Sequence, residues 1–334
     1  MKKFLVLMVT GLMVMGFSMT ASADLIDTTG PSGEYYQYAA FTVGDGSGYL
    51  GGGDVDAYGN TIYVNRDGTN LDVYTVSLAD TDGDGALEPD QHLDNPSATG
   101  AMEIRTLTYQ TTYSVPHLEV ATVGEIYAVS DRVYFLGDDS NGDIYEYVFG
   151  TGATNVVVDS TAGVSPQGSY GLTHLGYDDV NDKWYASCEA DRKVYGWDGS
   201  SWVEEFSFSP LAGGHMDGLE VVTDPNTNTP YVYVSDMTSD YLGQWYYDGT
   251  NWVENNLFEY TGTAGDVEGL GFGALGHFWV TTGFSNSGTL YEIGGGDLGG
   301  YVPPDDNAPV PEPATILLFG FGLLGLAGVS RKRK

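Results

Sequence analysis

The sequence predicts an all-β domain of repeated four-stranded units, and three observations carry that expectation. A Gly-initiated pattern recurs at Gly124, Gly171, Gly218 and Gly269, at spacings of 47, 47 and 51 residues. Within each unit, short β-branched and aromatic runs alternate with Asp, Gly and Asn turns. Almost no stretch between the two ends shows the 3.6-residue apolar period of a helix.

The units can be read strand by strand. One runs from Gly171-Leu172-Thr173-His174-Leu175 through Lys183-Trp184-Tyr185-Ala186-Ser187 to Lys193-Val194-Tyr195-Gly196-Trp197. The next runs from Gly218-Leu219-Glu220-Val221-Val222 through Tyr231-Val232-Tyr233-Val234-Ser235 to Gly243-Gln244-Trp245-Tyr246-Tyr247. Each ends in an Asp-Gly hairpin followed by Trp-Val, at Asp198-Gly199 with Trp202-Val203 and at Asp248-Gly249 with Trp252-Val253. The last unit runs from Gly269 through Phe278-Trp279-Val280 to Thr289-Leu290-Tyr291-Glu292-Ile293. Four strands in a period of about 40–50 residues is the pattern of a β-propeller blade.

A divergent earlier copy spans Thr61-Ile62-Tyr63-Val64 to Asp72-Val73-Tyr74-Thr75-Val76 and is separated from the next by an insertion. That gives five units. A strand from Tyr35 to Val43 could complete the ring, or the 90–120 stretch could hide a further blade. The expectation is a propeller of five or six blades, with a two-sheet β-sandwich as the alternative.

Charge narrows the partners. Between Asp24 and Pro311 only Arg66, Arg105, Arg132, Lys183, Arg192 and Lys193 oppose 45 acids, a net charge of −39. Such a field repels nucleic acid and anionic lipid and attracts divalent cations. The 25 Tyr, 13 Phe and 6 Trp supply a core that a disordered acidic chain lacks. Cys188 is the single cysteine, so no intrachain disulfide is available, and its alternating strand context reads as packing.

The sharpest local motif opens the insertion. Asp80, Asp82 and Asp84 stand at alternate positions, Gly85 follows, and Ala86, Leu87 and Glu88 complete the turn. Alternate carboxylates around a glycine turn suit a hard cation that takes oxygen ligands. The stretch resembles the calcium loop of EF-hand and dockerin-type sequences. The resemblance implies Ca²⁺ held by Asp80, Asp82, Asp84, Ala86, Glu88 and Gln91. It departs from the pattern at Gln91, where a Glu is expected, and at Pro89, which bars the usual exiting helix. Asp90 or Asp94 could substitute, and a merely solvated acidic turn is the other reading.

A second constellation lies at the unit starts. Met216-Asp217-Gly218-Leu219 and Val267-Glu268-Gly269-Leu270 put an acid immediately before the repeat glycine, with His215, Asp266 and Asp236 close by. This loosely resembles the axial metal site of gluconolactonase-type and NHL-like propellers. The resemblance implies Asp217, Asp236, Asp266 and Glu268 as channel ligands; turn and cap acids are the plainer reading.

Other chemistry is missing from the sequence. The histidines at 92, 117, 174, 215 and 277 show no metal spacing, and neither a Gly-x-Ser-x-Gly elbow nor a phosphate-binding glycine loop occurs. Tyr and Trp rings could stack on sugars, but their spacing here fits core strands.

Both ends read as targeting segments. Lys2 and Lys3, an apolar core from Phe4 to about Met19, and Ala21-Ser22-Ala23 before Asp24 form a secretory signal with cleavage after Ala23. A linker over residues 294–309 leads to Val310-Pro311-Glu312-Pro313, an uncharged run from Ala314 to Val329, and Arg331-Lys332-Arg333-Lys334. That run is slightly short of the roughly 17–25 residues of a spanning helix. The three parts resemble the PEP-CTERM sorting signal of Gram-negative bacteria; a plain tail anchor is the alternative.

The resemblance implies an exosortase partner, transient anchoring in the inner membrane, and a destination at the cell surface or in an exopolysaccharide-rich biofilm matrix. The organisation expected is a signal at 1–23, the propeller at 24–293, the linker at 294–309 and the sorting segment at 310–334. Two functions follow. One is a non-enzymatic module binding exopolymer or a surface protein, with structural calcium. The other is an extracellular metal-dependent hydrolase or lyase of gluconolactonase-like type, working through Asp217 and Glu268.

Overall fold

The computed structural model describes residues 18–20, 27–30, 33–44, 54–66, 69–81, 83, 85, 87, 103–118, 126–136, 142–160, 172–188, 192–208, 216–224, 228–236, 241–259, 267–282 and 288–295. Three strands precede the first repeat: β1 (Ser18–Thr20), β2 (Asp27–Gly30) and β3 (Gly33–Thr42). Blade 1 comprises β4 (Val55–Tyr58), β5 (Thr61–Asn65), β6 (Asn70–Ala79) and β7 (Ile104–Ser114). Blade 2 comprises β8 (Ile126–Val129), β9 (Arg132–Leu136), β10 (Ile144–Val148) and β11 (Ala153–Val158). Blade 3 comprises β12 (His174–Asp178), β13 (Lys183–Cys188), β14 (Lys193–Trp197) and β15 (Trp202–Ser207). Blade 4 comprises β16 (Met216–Asp224), β17 (Thr229–Asp236), β18 (Tyr241–Tyr247) and β19 (Trp252–Glu259). Blade 5 comprises β20 (Val267–Phe272), β21 (Phe278–Thr282) and β22 (Thr289–Gly295).

The blades close into a ring. Inner strands β4, β8, β12, β16 and β20 each pack against the next, and β20 returns to β4. Blade 5 takes its fourth strand from β3, which pairs antiparallel with β22 from Thr42↔Thr289 to Tyr35↔Gly295. The strand expected at Tyr35–Val43 therefore completes the ring. Among the described residues of the 90–120 stretch there is no further blade: strand β7 pairs with β6 and is the fourth strand of blade 1. The result is a five-bladed propeller, and neither the sixth blade nor the sandwich is formed.

Local chemistry explains the blades. In both Asp-Gly hairpins the Asp carboxylate accepts two backbone N–H groups. Asp198 takes those of Ser200 and Ser201 at 2.8 and 2.7 Å, and Asp248 takes those of Thr250 and Asn251 at 2.7 and 2.8 Å. The following glycines adopt φ of +93° and +94°, a conformation that favours glycine. Between blades, buried apolar side chains interdigitate as in two facing sheets, with Tyr185, Leu219, Val221, Val232 and Trp245 packed between blades 3 and 4.

The junction between the last and first blades is charged. Arg105 of β7 reaches Glu292 of β22 at 3.2 Å, with both side chains almost fully buried. Glu292 also meets His277 Nδ1 at 2.7 Å, and the His277 ring stacks on Tyr38 at 4.4 Å. Arg105 in turn lies over the Tyr38 ring at 4.8 Å. Two of the elements that join the ring, β3 and β22, thus share one buried network.

Several sequence assignments fall outside the described residues: Ala21, Ala23, Asp82, Asp84, Ala86, Glu88, Gln91, Asp266, the linker from residue 296, and the sorting segment with Val310, Pro311, Glu312 and Pro313. For Cys188, Asp217, Asp236 and Glu268 the backbone alone is described. Strand β1 lies within the stretch read as the secretory signal and pairs with the outer edge of β7. Among the described residues, no helix is long and apolar enough to cross a membrane.

Candidate functional site

Strand register aligns the inner strands into layers around the ring. Asp56, Tyr127, Gly176, Glu220 and Gly271 stand opposite Tyr63, Tyr134, Tyr185, Tyr233 and Trp279 on the second strands of their blades. One position earlier, Val55, Ile126, Leu175, Leu219 and Leu270 form an aliphatic layer that is buried throughout.

The first layer contains a carboxyl pair. Asp56 accepts the Ala57 N–H at 2.7 Å and, from blade 2, the Ala128 N–H at 2.5 Å. Glu220 accepts the Val221 N–H at 2.6 Å and, from blade 5, the Phe272 N–H at 3.0 Å. The two carboxyls also lie close enough for each to perturb the other. Burial pushes Asp56 up to about 7. Burial, then the Asp56 charge, pushes Glu220 well above the usual carboxylate range. Gly271 makes the approach possible: a Cβ there would sit 2.4 Å from Asp56 Cα and 2.7 Å from the Val55 carbonyl oxygen.

Beyond the aliphatic layer lies the mouth where the inner strands begin. His174, Gly218 and Gly269 pair here with Ser187, Ser235 and Thr281. His174 Nδ1 lies 2.8 Å from Thr173 Oγ1 and 3.2 Å from Ser187 Oγ, and burial lowers the imidazole to about 3, which keeps it neutral. Ser235 Oγ and Thr281 Oγ1 are buried without a hydrogen-bond partner.

The sequence-predicted channel acids relate to this mouth through backbone register. Met216 pairs with Asp236 and Gly218 with Ser235, so Asp217 is the extra residue of a β-bulge. Val267 pairs with Thr282 and Gly269 with Thr281, so Glu268 is the extra residue of a matching bulge. The register thus places Asp217, Asp236 and Glu268 at one end of the inner strands.

The acidic loop is described at Asp80 and its glycines. Asp80 Oδ1 accepts the Gly83 N–H at 2.6 Å and Oδ2 the Gly85 N–H at 2.9 Å. Both glycines have positive φ, 78° and 89°, the sharp turn expected from the sequence. Among the described residues no group of three or more His, Cys, Asp or Glu could hold a metal ion.

An aromatic cluster spans blades 2 and 3. Trp184 lies 4.3 Å from Tyr177, 5.1 Å from Tyr134 and 5.9 Å from Tyr127, measured between ring centroids. All four rings are half-buried. The Tyr177 hydroxyl donates to Asp182 at 2.5 Å, and exposed Asp179 follows at the turn.

Sequence reasoning missed Asp56, Glu220 and this cluster. The available signals were an acid inside an otherwise apolar inner strand, as in Val55-Asp56-Ala57 and Leu219-Glu220-Val221, and a Tyr followed seven residues later by a Trp, Tyr177 and Trp184, at the first hairpin of one unit.

Residues 309–334 match the family described as the PEP-CTERM protein-sorting motif. The chain carries a PEP-CTERM sorting motif. It is therefore an exported propeller sorted by exosortase, anchored in a membrane on the way to the cell surface. No curated protein matches the chain. Among solved structures it is similar to a luciferin-regenerating enzyme, at 13% identity and TM-score 0.42, covering 76% of this chain and 94% of that one. It is also similar to a protein of unknown function from Bacteroides thetaiotaomicron, at 10% identity and TM-score 0.41, covering 83% and 77%. A chain of a nidogen/laminin complex shows 13% identity and TM-score 0.34, covering 68% and 70%.

Proposed function

We propose that this PEP-CTERM propeller is a non-enzymatic surface module of the extracellular matrix that binds a neutral exopolysaccharide through the aromatic cluster on blades 2 and 3. The reading is carried by one comparison between blades. The pairs Ala57↔Ile62, Ala128↔Val133, Val221↔Val232 and Phe272↔Phe278 occupy one register position and are buried in four blades. In blade 3 the same position holds Tyr177↔Trp184, larger and half-buried. Packing accounts for the four buried pairs. It does not account for two aromatic faces left partly in water beside Tyr127 and Tyr134. Aromatic faces stack on the apolar faces of sugar rings, and Asp179 and Asp182 offer acceptors for sugar hydroxyls. The net charge of the region favours a neutral glycan over a polyanionic one.

Calcium enters this reading as a structural ion in the loop beginning at Asp80. The carboxyl pair at the axis supports binding rather than catalysis, since each of its oxygens accepts a backbone N–H. A second reading, a metal-dependent hydrolase or lyase at the channel mouth, draws on the matched bulges at Asp217 and Glu268.

Affinity electrophoresis in gels carrying neutral or anionic polysaccharides tests the proposal. The parent chain should be retarded by a neutral polymer, and Trp184→Ala should lose most of that retardation without a change in fold. Equal retardation of the two chains sinks it. Release of reducing ends or unsaturated sugars, abolished in Asp217→Asn, would establish the second reading instead.

A further inference from the structure

The acidic loop lacks a carboxylate at Gln91, and the fold brings another one to its start. Glu103 immediately precedes β7, at the far end of the insertion that Asp80 opens. Its side chain is 0% exposed. Glu103 Oε1 accepts the Thr81 N–H at 3.4 Å, which sets the carboxyl alongside the second residue of the loop. Glu103 Oε2 is buried with no hydrogen-bond partner.

A bare carboxylate oxygen away from water is among the costliest groups a fold can bury, and native structures pair such groups with a donor or a cation. The neighbouring cation, Arg105, bonds Glu292 and donates to the main-chain carbonyl oxygen of Glu103 at 2.7 Å. That bond fixes the backbone from which the Glu103 carboxyl projects. Asp80 is held in place on the other side by the Gly83 and Gly85 amides, which leave its remaining lone pairs free to bind.

We propose that Glu103 is a ligand of a divalent cation bound against the loop that begins at Asp80. It supplies, from the residue just before the neighbouring strand β7, the carboxylate that the loop lacks at Gln91. Hard oxygen donors from a loop and a following strand suit Ca²⁺, which accepts irregular coordination, better than Mg²⁺, which demands near-octahedral geometry. The inference rests on the calcium reading of the loop given above and adds to it a ligand 23 residues from Asp80 in sequence.

The test uses the full chain in detergent, stripped with EDTA and titrated with CaCl₂ and with MgCl₂ by calorimetry, alongside melting curves without metal. The parent chain should bind one Ca²⁺ in preference to Mg²⁺. Glu103→Gln should bind Ca²⁺ at least tenfold more weakly. It should also melt higher than the parent in EDTA, because the uncompensated charge is gone. A purely structural Glu103 would move the metal-free melting temperature down, so that outcome overturns the assignment. Unchanged Ca²⁺ affinity in Glu103→Gln, with binding lost in Asp82→Asn, also overturns it and leaves the loop reading standing. No Ca²⁺ binding by the parent overturns both. Should Glu103→Gln not fold, Glu103→Asp takes its place: a shortened carboxylate should weaken binding, and equal affinity refutes the ligand role.

Discussion

The carboxyl pair on the propeller axis contributes to stability in a way that weakens as pH rises. Asp56 rises from its ordinary 3.8 to about 7 because folding buries it. A raised carboxyl pKa means the folded state binds more protons than the unfolded state between those two values. Stability is therefore greatest below about pH 4 for this pair, declines as pH rises, and is lost once the pH passes about 7. Each pKa unit is worth about 1.4 kcal/mol, so a rise of about three units corresponds to roughly 4 kcal/mol. Within the window the slope approaches about 1.4 kcal/mol per pH unit for one proton.

Glu220→Gln isolates this contribution. The amide removes the second acid, so Asp56 ionises without a charged neighbour to repel it. The substitution has its own cost, because Glu220 accepts two backbone amides and Gln can satisfy only one of them with its oxygen. That lost acceptor costs roughly 1–3 kcal/mol at every pH. Below pH 5 the variant should be less stable than the parent by about that amount. The deficit should shrink, and the order invert, as pH rises towards 8. Urea unfolding of both chains from pH 4 to 8 measures the difference, in which the repulsion among the other carboxylates cancels. Parallel stability curves would refute the coupling of the two carboxyls.

Two further perturbations probe the ring. Glu292→Gln leaves buried Arg105 without its counter-charge and should cost about 3–5 kcal/mol in denaturant unfolding; a loss below about 1 kcal/mol would show that the junction does not depend on this pair. Gly271→Ala drives a Cβ into the β4 backbone and should destabilise by on the order of 3 kcal/mol. Gly199→Ala, at φ +93° with open space around it, should lose only about 1 kcal/mol, and equal losses at the two positions would contradict the close approach.

What was legible in the sequence follows from which features repeat. The Asp-Gly hairpins at Asp198 and Asp248 recur because each blade must turn tightly, and their carboxylates cap the same two amides in both. Blade count was harder to read, because β7 lies beyond the acidic insertion and β3 joins β22 from the other end of the chain. Periodicity reports neighbours in sequence and is silent on a strand borrowed from across the ring. Of the expected site residues, Asp217 and Glu268 do occupy equivalent positions, since both are bulge residues. Bulging was hidden in the sequence, where an added residue looks like any other.

The residues missed are those where the repeat breaks, and geometry requires the break. In the layer of Asp56 and Glu220 the inner strands approach so closely that Gly271 could not carry a Cβ without coming within 2.4 Å of Asp56 Cα. A layer so confined cannot hold five equal side chains. It holds Asp56, Tyr127 and Glu220, with Gly176 and Gly271 ceding space. The carboxyls of blades 1 and 4 then accept backbone N–H groups of blades 2 and 5, which ties the ring together through two side-chain bonds rather than through five identical contacts. The proposed recognition uses a face that packing leaves partly in water, the Tyr177↔Trp184 pair beside Tyr127↔Tyr134. The same asymmetry that locks the axis thus marks the blade on which binding is to be sought.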